Sequence, residues 1–225
     1  MKQFLVFSLM GLFAAAGARA ADKRTVLVSH VESCEAILQE IMSDPATAIP
    51  ASVWQQAHAV MIVNQFKAGF LIGIKDGYGV IMAKKANGQW SLPVLISASE
   101  ASIGLQLGAK SVETVYILMD ERTPRLLFNQ RFNIGADAKA VAGPDAAGVE
   151  RDNGAIAAAP VLVYSKSAGL FAGATVKAGY VARNDEANFT LYNTTYTLPE
   201  LLYSDWVAAP PEVLPLMHYV QHLAP

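Results

Sequence analysis

The chain has 225 residues, 53% of them hydrophobic and 16% charged, with a formal net charge of −2 and a single cysteine. This balance excludes the dense basic surface that nucleic acid binding requires, and one cysteine excludes an intrachain disulfide. The length is that of one domain with room for a substantial core.

The first twenty residues read as an export leader. Lys2 supplies the positive start, Phe4 to Ala16 is almost wholly apolar, and Ala18-Arg19-Ala20 places small residues where a signal peptidase cuts. Cleavage is expected after Ala20, leaving residues 21–225 as a single mature domain in the periplasm. The apolar run, about 13 residues, is short of the ~20 needed to span a bilayer. Cys34 lies well beyond the cleavage point, so no acyl anchor is predicted. Losing Lys2 and Arg19 lowers the 17 basic residues to 15 against 19 acidic ones, a mature charge of about −4.

Residues 25–43 carry a helical stripe: Leu27, Val31, Cys34, Leu38 and Ile41 recur every three or four residues and share one face. Cys34 within it is read as a buried apolar thiol. The opposite face holds Glu32, Glu35 and Glu40 and no cation. Asp44-Pro45 ends this segment, and Pro50 can open a short helix through Trp54 and Gln55. From about Ala59 to Tyr196 the pattern becomes strands and turns, with strands expected at 60–63, 80–82, 115–118, 161–163 and from Phe189 to Tyr192. Asp76-Gly77 and Asn87-Gly88 are candidate hairpin turns. Residues 136–159, rich in Ala and Gly, are expected to form a long ordered loop. Helices are predicted at Pro199–Tyr203 and about Glu212–Leu223, with Pro215 in the first turn of the last. The fold class is therefore α+β: a mostly antiparallel, strongly coiled sheet with N-terminal and C-terminal helices packed on it.

A Gly-x-x-x-Gly pattern recurs at Gly69–Gly73, Gly104–Gly108 and Gly169–Gly173. If these segments are strands, glycines four apart share a face and leave a bare backbone for a neighbouring strand, a helix or an acyl chain.

Short catalytic motifs are lacking: there is no G-x-S-x-G, H-E-x-x-H, C-x-x-C or P-loop. Gly77-Tyr78-Gly79 lacks the third glycine of a dinucleotide fingerprint. His218 and His222, four apart on the last helix, could share a metal, but Val213, Leu216, Val220 and Leu223 define its apolar face and leave both histidines pointing to solvent. His30 and His58 are read as structural, and Asp120-Glu121 and Asp185-Glu186 as solvated turn residues. The chain is read as non-enzymatic, with no cofactor and no metal.

An ordered set of motifs covers about residues 50–195: Ala68-Gly69-Phe70 and Gly73; Gly77-Tyr78-Gly79-Val80; Trp90-Ser91-Leu92-Pro93; Gly104-Leu105-Gln106-Leu107-Gly108; Gly135; Gly143-Pro144; Tyr164-Ser165-Lys166-Ser167-Ala168-Gly169-Leu170-Phe171-Ala172-Gly173; and Gly179. In these the chain resembles the SYLF family, which includes bacterial exported proteins and eukaryotic lipid- and actin-binding proteins. The resemblance implies a lipid-binding or membrane-peripheral module. The chain departs from the family where Asp145-Ala146-Ala147 and Ala168 replace basic residues, and eukaryotic relatives bind phosphoinositides through a basic helix where this one has glutamates. Phosphoinositide and actin binding are therefore not expected. The expected partner is an anionic phospholipid or membrane surface, with Lys67, Lys75, Lys84, Lys85, Lys166 and Lys177 as candidate contacts. An envelope protein bound at a sheet edge or at the 136–159 loop is the alternative.

Overall fold

The computed structural model describes the backbone of residues 2–45, 47–68, 72–103, 109–129, 131–133, 140–142, 160–165 and 180–225. Side chains within that set are described from Asp22 onward, apart from 66–68, 72–76, 100–103, 109–111, 132 and 140–142. The chain opens with α1 (Lys2–Ser43) and α2 (Ala51–Gln55). On α1, Val31, Cys34, Ile37, Leu38 and Ile41 are buried and Leu27 is half-buried, while Glu32 and Glu40 are exposed, as the helical period demands. The Cys34 thiol lies 3.6 Å from the Ile62 carbonyl oxygen, and burial pushes its pKa up to about 12, which makes it a packing group rather than a nucleophile.

Eight strands follow among the described residues: β1 (Ala59–Ala68), β2 (Ile72–Ala83), β3 (Val94–Ile103), β4 (Ala109–Leu118), β5 (Arg131–Asn133), β6 (Ala140–Ala142), β7 (Val161–Ser165) and β8 (Tyr180–Arg183). A 3-10 helix at Thr123–Asn129 precedes β5, and α3 (Asp185–Tyr192), α4 (Leu198–Tyr203) and α5 (Leu214–Leu223) complete the chain. The strands form one sheet in the order β5-β8-β3-β2-β1-β4-β7-β6. All pairs are antiparallel except β6 with β7. The central strands read as continuous apolar runs, Ala59–Val63 and Val80–Ala83, because both sheet faces are buried there.

Connectivity fixes the curvature of this sheet. β5 and β6 are its opposite edges, yet only residues 134–139 join them. The steps from Asn133 to Ala140 can span at most about 25 Å. Eight strands laid flat would set the edges about 34 Å apart. The sheet must therefore curl its edges toward each other, which gives the strongly coiled sheet expected from the sequence a geometric cause.

Several local expectations change. Asp76-Gly77 is not a turn: it lies inside β2, with Asp76 across from Phe66 and Gly77 across from Gln65. Glycine is required there by proximity, since a Cβ on Gly77 would stand 2.3 Å from the Asn64 carbonyl oxygen and one on Gly79 would stand 2.4 Å from that of Ile62. Asn87-Gly88 is the turn that forms, with Gly88 at φ +81° and its N–H donating to the Lys85 carbonyl. Phe189–Tyr192 is helix rather than strand. Asn184 caps it by accepting from the Ala187 N–H, Asp185 and Glu186 occupy its first turn instead of a loop, and Asn193 closes it at φ 48°. Within the expected 136–159 loop, Ala140–Ala142 pairs with β7, and the rest lies outside the described residues. Gly69, Gly104, Gly108, Gly143, Pro144, Gly169, Leu170, Phe171 and Gly173 also lie outside them.

The Trp90-Ser91-Leu92-Pro93 motif proves architectural. The Trp90 indole N–H donates to the Ala224 carbonyl (2.8 Å), Ser91 Oγ accepts from the Ala83 N–H (3.0 Å), and the Pro93 carbonyl accepts from the Tyr192 hydroxyl (2.6 Å). The Trp90 and Pro93 bonds fasten the C-terminal helices to the end of the sheet where β2 turns into β3, and the Ser91 bond ties that connection back to β2.

Candidate functional site

The strand directions sort the chain's connections. β1 and β3 run toward one end of the sheet, β2 and β4 leave it, and by pairing β7 runs toward it and β8 away. The β1–β2, β3–β4 and β7–β8 connections, which carry the three glycine repeats, therefore all start and finish at that one end.

The candidate lysines separate accordingly. Lys67 and Lys75 are in β1 and β2 beside this end, and Lys166 and Lys177 belong to the β7–β8 connection, outside the described residues. Lys84 and Lys85 stand at the opposite end and are committed to holding the C-terminal segment. The Lys84 ammonium donates to the Pro225 main-chain oxygen (2.7 Å), and that of Lys85 pairs with Asp205 and donates to the Ser204 carbonyl (3.2 Å).

Register brings in a residue that the sequence reading missed. Lys67 pairs with Lys75 on one side and with Lys110 of β4 on the other, and Lys75 pairs in turn with Glu100 of β3. Directly paired residues share a sheet face, so Glu100, Lys75, Lys67 and Lys110 occupy one row on one face. A spacing rule could have found it: each lysine stands two residues outside a repeat glycine, in Lys67-Ala68-Gly69, Gly73-Ile74-Lys75 and Gly108-Ala109-Lys110.

The face is identified by alternation along β2. Tyr78 faces α1: its hydroxyl donates to Ser33 Oγ (3.0 Å) and accepts from Asn64 Nδ2 (3.3 Å), and its ring stacks on His30 at 3.7 Å between centroids. Lys75, Gly77 and Gly79 alternate with it and so take the face turned away from α1. Beyond the row, that face continues through Ala98, Gly77 and Gln65, then Ile96, Gly79 and Val63, then Val94, Ile81, Met61 and Tyr116. Apart from Gln65, the positions beyond the row are small or apolar, and from Ala98 to Tyr116 most of them are buried.

No group of three or more His, Cys, Asp or Glu residues suited to a metal occurs among the described residues, and His218 and His222 are both exposed. At the far end of the sheet Trp206 is 66% exposed, with its ring 5.1 Å from that of Tyr196.

Comparison with known proteins gives the family. The model of the Ysc84 family, described as Las17-binding protein actin regulator, matches residues 99–223. The chain belongs to this Ysc84, or SYLF, family. It is 32% identical over 182 residues to Protein YSC84 of Saccharomyces cerevisiae, a match covering 78% of this chain and 38% of the relative. It is 32% identical over 171 residues to SH3 domain-containing protein PJ696.02 of Schizosaccharomyces pombe, covering 75% and 40%. With SH3 domain-containing YSC84-like protein 1 of Homo sapiens it shares 27% over 185 residues, covering 80% and 54%. The chain thus spans from about two fifths to about half of these relatives' length. No solved structure matches it. The family model runs past residue 195, where the motif resemblance stops, and takes in the C-terminal helices that Trp90 anchors.

Proposed function

We propose that this chain is a non-enzymatic, membrane-peripheral lipid-binding module of the bacterial cell envelope, exported by its leader and cut after Ala20. The carrying observation is that Lys67 and Lys75 sit at the one end of the sheet from which all three glycine repeats depart. That placement suits contact with an anionic membrane surface. The acidic face of α1, with Glu32 and Glu40 exposed, makes that helix repel an anionic surface, so contact falls to the sheet end. Arg24, just past the cleavage point, supports the processed form. It donates to Glu212 (2.7 Å) and to the Leu191 carbonyl (3.3 Å), so the mature helix keeps its anchorage. Las17 binding and actin regulation belong to the description of the family model and are not carried over.

Sedimentation with vesicles of phosphatidylcholine, with and without phosphatidylglycerol, tests this reading. Binding should require the anionic lipid and weaken with salt, since exposed charges are screened beyond ~8 Å at physiological ionic strength. Equal recovery in the supernatant with both vesicle types refutes it.

A second reading, a protein-interaction module, is favoured by the exposed Trp206–Tyr196 pair, because aromatic side chains concentrate at binding hot spots. A partner that copurifies with the wild type and is lost from Trp206→Ala supports it.

A further inference from the structure

We propose that Trp206 and Tyr196 form a platform for an uncharged carbohydrate, a β-linked chain of pyranose rings, apart from the lysine end and independent of the lipid reading. The two residues flank α4 and come together because Leu198, Leu201 and Leu202 bury that helix between them. Local bonds hold the main chain on both sides. The Tyr196 N–H donates to Thr194 Oγ1 (3.2 Å), the Trp206 N–H donates to Ser204 Oγ (3.4 Å), and Ser204 Oγ donates in turn to the Glu200 carbonyl (2.7 Å). The rings meet at a tilt of 49°, with Trp206 66% and Tyr196 38% exposed. Such a held aromatic corner loses little freedom when a ligand covers it.

Charge argues for an uncharged ligand. Residues 184–225 contain no lysine or arginine. The acidic side chains nearest the pair in sequence are engaged within the molecule, Glu200 accepting from the Thr197 N–H (2.8 Å) and Asp205 pairing with Lys85, whose side chain is only 14% exposed. An anionic headgroup finds no open cation in this segment. The surround is instead rich in hydroxyl and amide groups, with Asn193-Thr194-Thr195 leading into Tyr196 and Thr197 following it. Sugar hydroxyls, each both donor and acceptor, match such a rim. The C–H bonds of a pyranose face, polarised by neighbouring oxygens, lie well on the negative face of an aromatic ring. β-linked rings with equatorial hydroxyls keep both faces free for that stacking.

Size separates this ligand from a protein partner. The open parts of the two rings amount to roughly 200 Å². A stable protein interface takes ~800 Å² from each partner. Among the described side chains no exposed leucine, isoleucine, methionine or phenylalanine extends the patch, and Tyr203 is turned to Phe128 and Arg125. A patch of that extent suits a short oligosaccharide.

Tryptophan fluorescence of the purified protein tests the inference. Trp54 and Trp90 are 1% and 3% exposed, so acrylamide quenching reports on Trp206. Chitohexaose, a neutral β-linked oligosaccharide, should shield Trp206 from the quencher equally at low and high salt, since no charge is there to be screened. By calorimetry, Trp206→Ala and Tyr196→Ala should bind chitohexaose at least about tenfold more weakly, and Tyr180→Ala, a remote exposed tyrosine, like wild type. Both platform rings are exposed, so the melting midpoints of these variants should stay near wild type and separate lost binding from lost fold. Quenching of the wild type that chitohexaose leaves unchanged overturns the inference. Binding that survives in Trp206→Ala places the sugar elsewhere and also overturns it. A copurifying protein that Trp206→Ala loses, with no oligosaccharide bound by the wild type, returns the pair to a protein partner. Vesicle binding is read separately, and its failure leaves this site untouched.

Discussion

Asn188 completes the main chain of Leu95 from a neighbouring helix. Its Nδ2 donates to the Leu95 carbonyl (2.9 Å), and its Oδ1 accepts from the Leu95 N–H (2.8 Å). β8 pairs with β3 only over Ile96–Ser99, so the amide of this fully buried side chain continues the ladder where that strand has ended. Asn188→Ala strands two buried main-chain groups, each costing about 1–3 kcal/mol. Urea unfolding should show a loss of ~2–4 kcal/mol. An unchanged midpoint and slope would mean that water replaces the amide.

Gly79→Ala tests the closeness of β1 and β2. The added methyl meets the Ile62 carbonyl oxygen at 2.4 Å, a main-chain atom that cannot rotate away. A loss of at least ~1–3 kcal/mol is expected. Gly88→Ala meets nothing within 4 Å, but its φ of +81° places alanine in the left-handed region, so a cost of about 1–2 kcal/mol arises from the backbone alone. Stability equal to wild type in Gly79→Ala would contradict the strand approach.

Acid should weaken the docking of α1. Burial holds the His30 imidazole below its ordinary pKa of 6.5, so the unfolded chain binds the proton more readily. With the folded value depressed, the histidine imposes no penalty well above pH 6.5, and stability falls as the pH drops from 6.5 through the folded value. The difference in stability between His30→Gln and wild type should therefore change between about pH 7.5 and about pH 5, in favour of the variant at acid pH. A constant difference across that range would show that the stacked ring takes up its proton without cost.

Processing can be read from an intact mass. Protein recovered from the periplasmic fraction should begin at Ala21 and carry no acyl group. A mass that retains residues 1–20 would instead make the leader a permanent part of the molecule.

Legibility from the sequence followed the range of the signals. The α1 stripe, the Pro50 and Pro215 helix starts and the Asn87-Gly88 turn depend on neighbours within one or two turns, and the structure keeps them all. Phe189-Thr190-Leu191-Tyr192 misled because its aromatic and β-branched content suits a strand, while the Asn184 cap that decides the matter lies upstream. Asp76-Gly77 misled because the same dipeptide serves a turn by its φ freedom and a strand by its small size. At the candidate site, Lys67 and Lys75 were visible in sequence. Lys110 becomes their neighbour only through the pairing of β1 with β4, 43 residues apart at that point. The engagement of Lys84 and Lys85 likewise depends on where the C-terminal segment returns.

The six residues 134–139 between the edge strands act as a drawstring on the sheet. Each inserted residue lengthens the cord by up to about 3.6 Å, so three more would let the edges lie as far apart as in a flat sheet. The curl of the sheet is therefore bounded by the length of one connection. Insertions and deletions at this point, more than substitutions in the strands, are the changes by which members of such a fold could open or tighten the sheet.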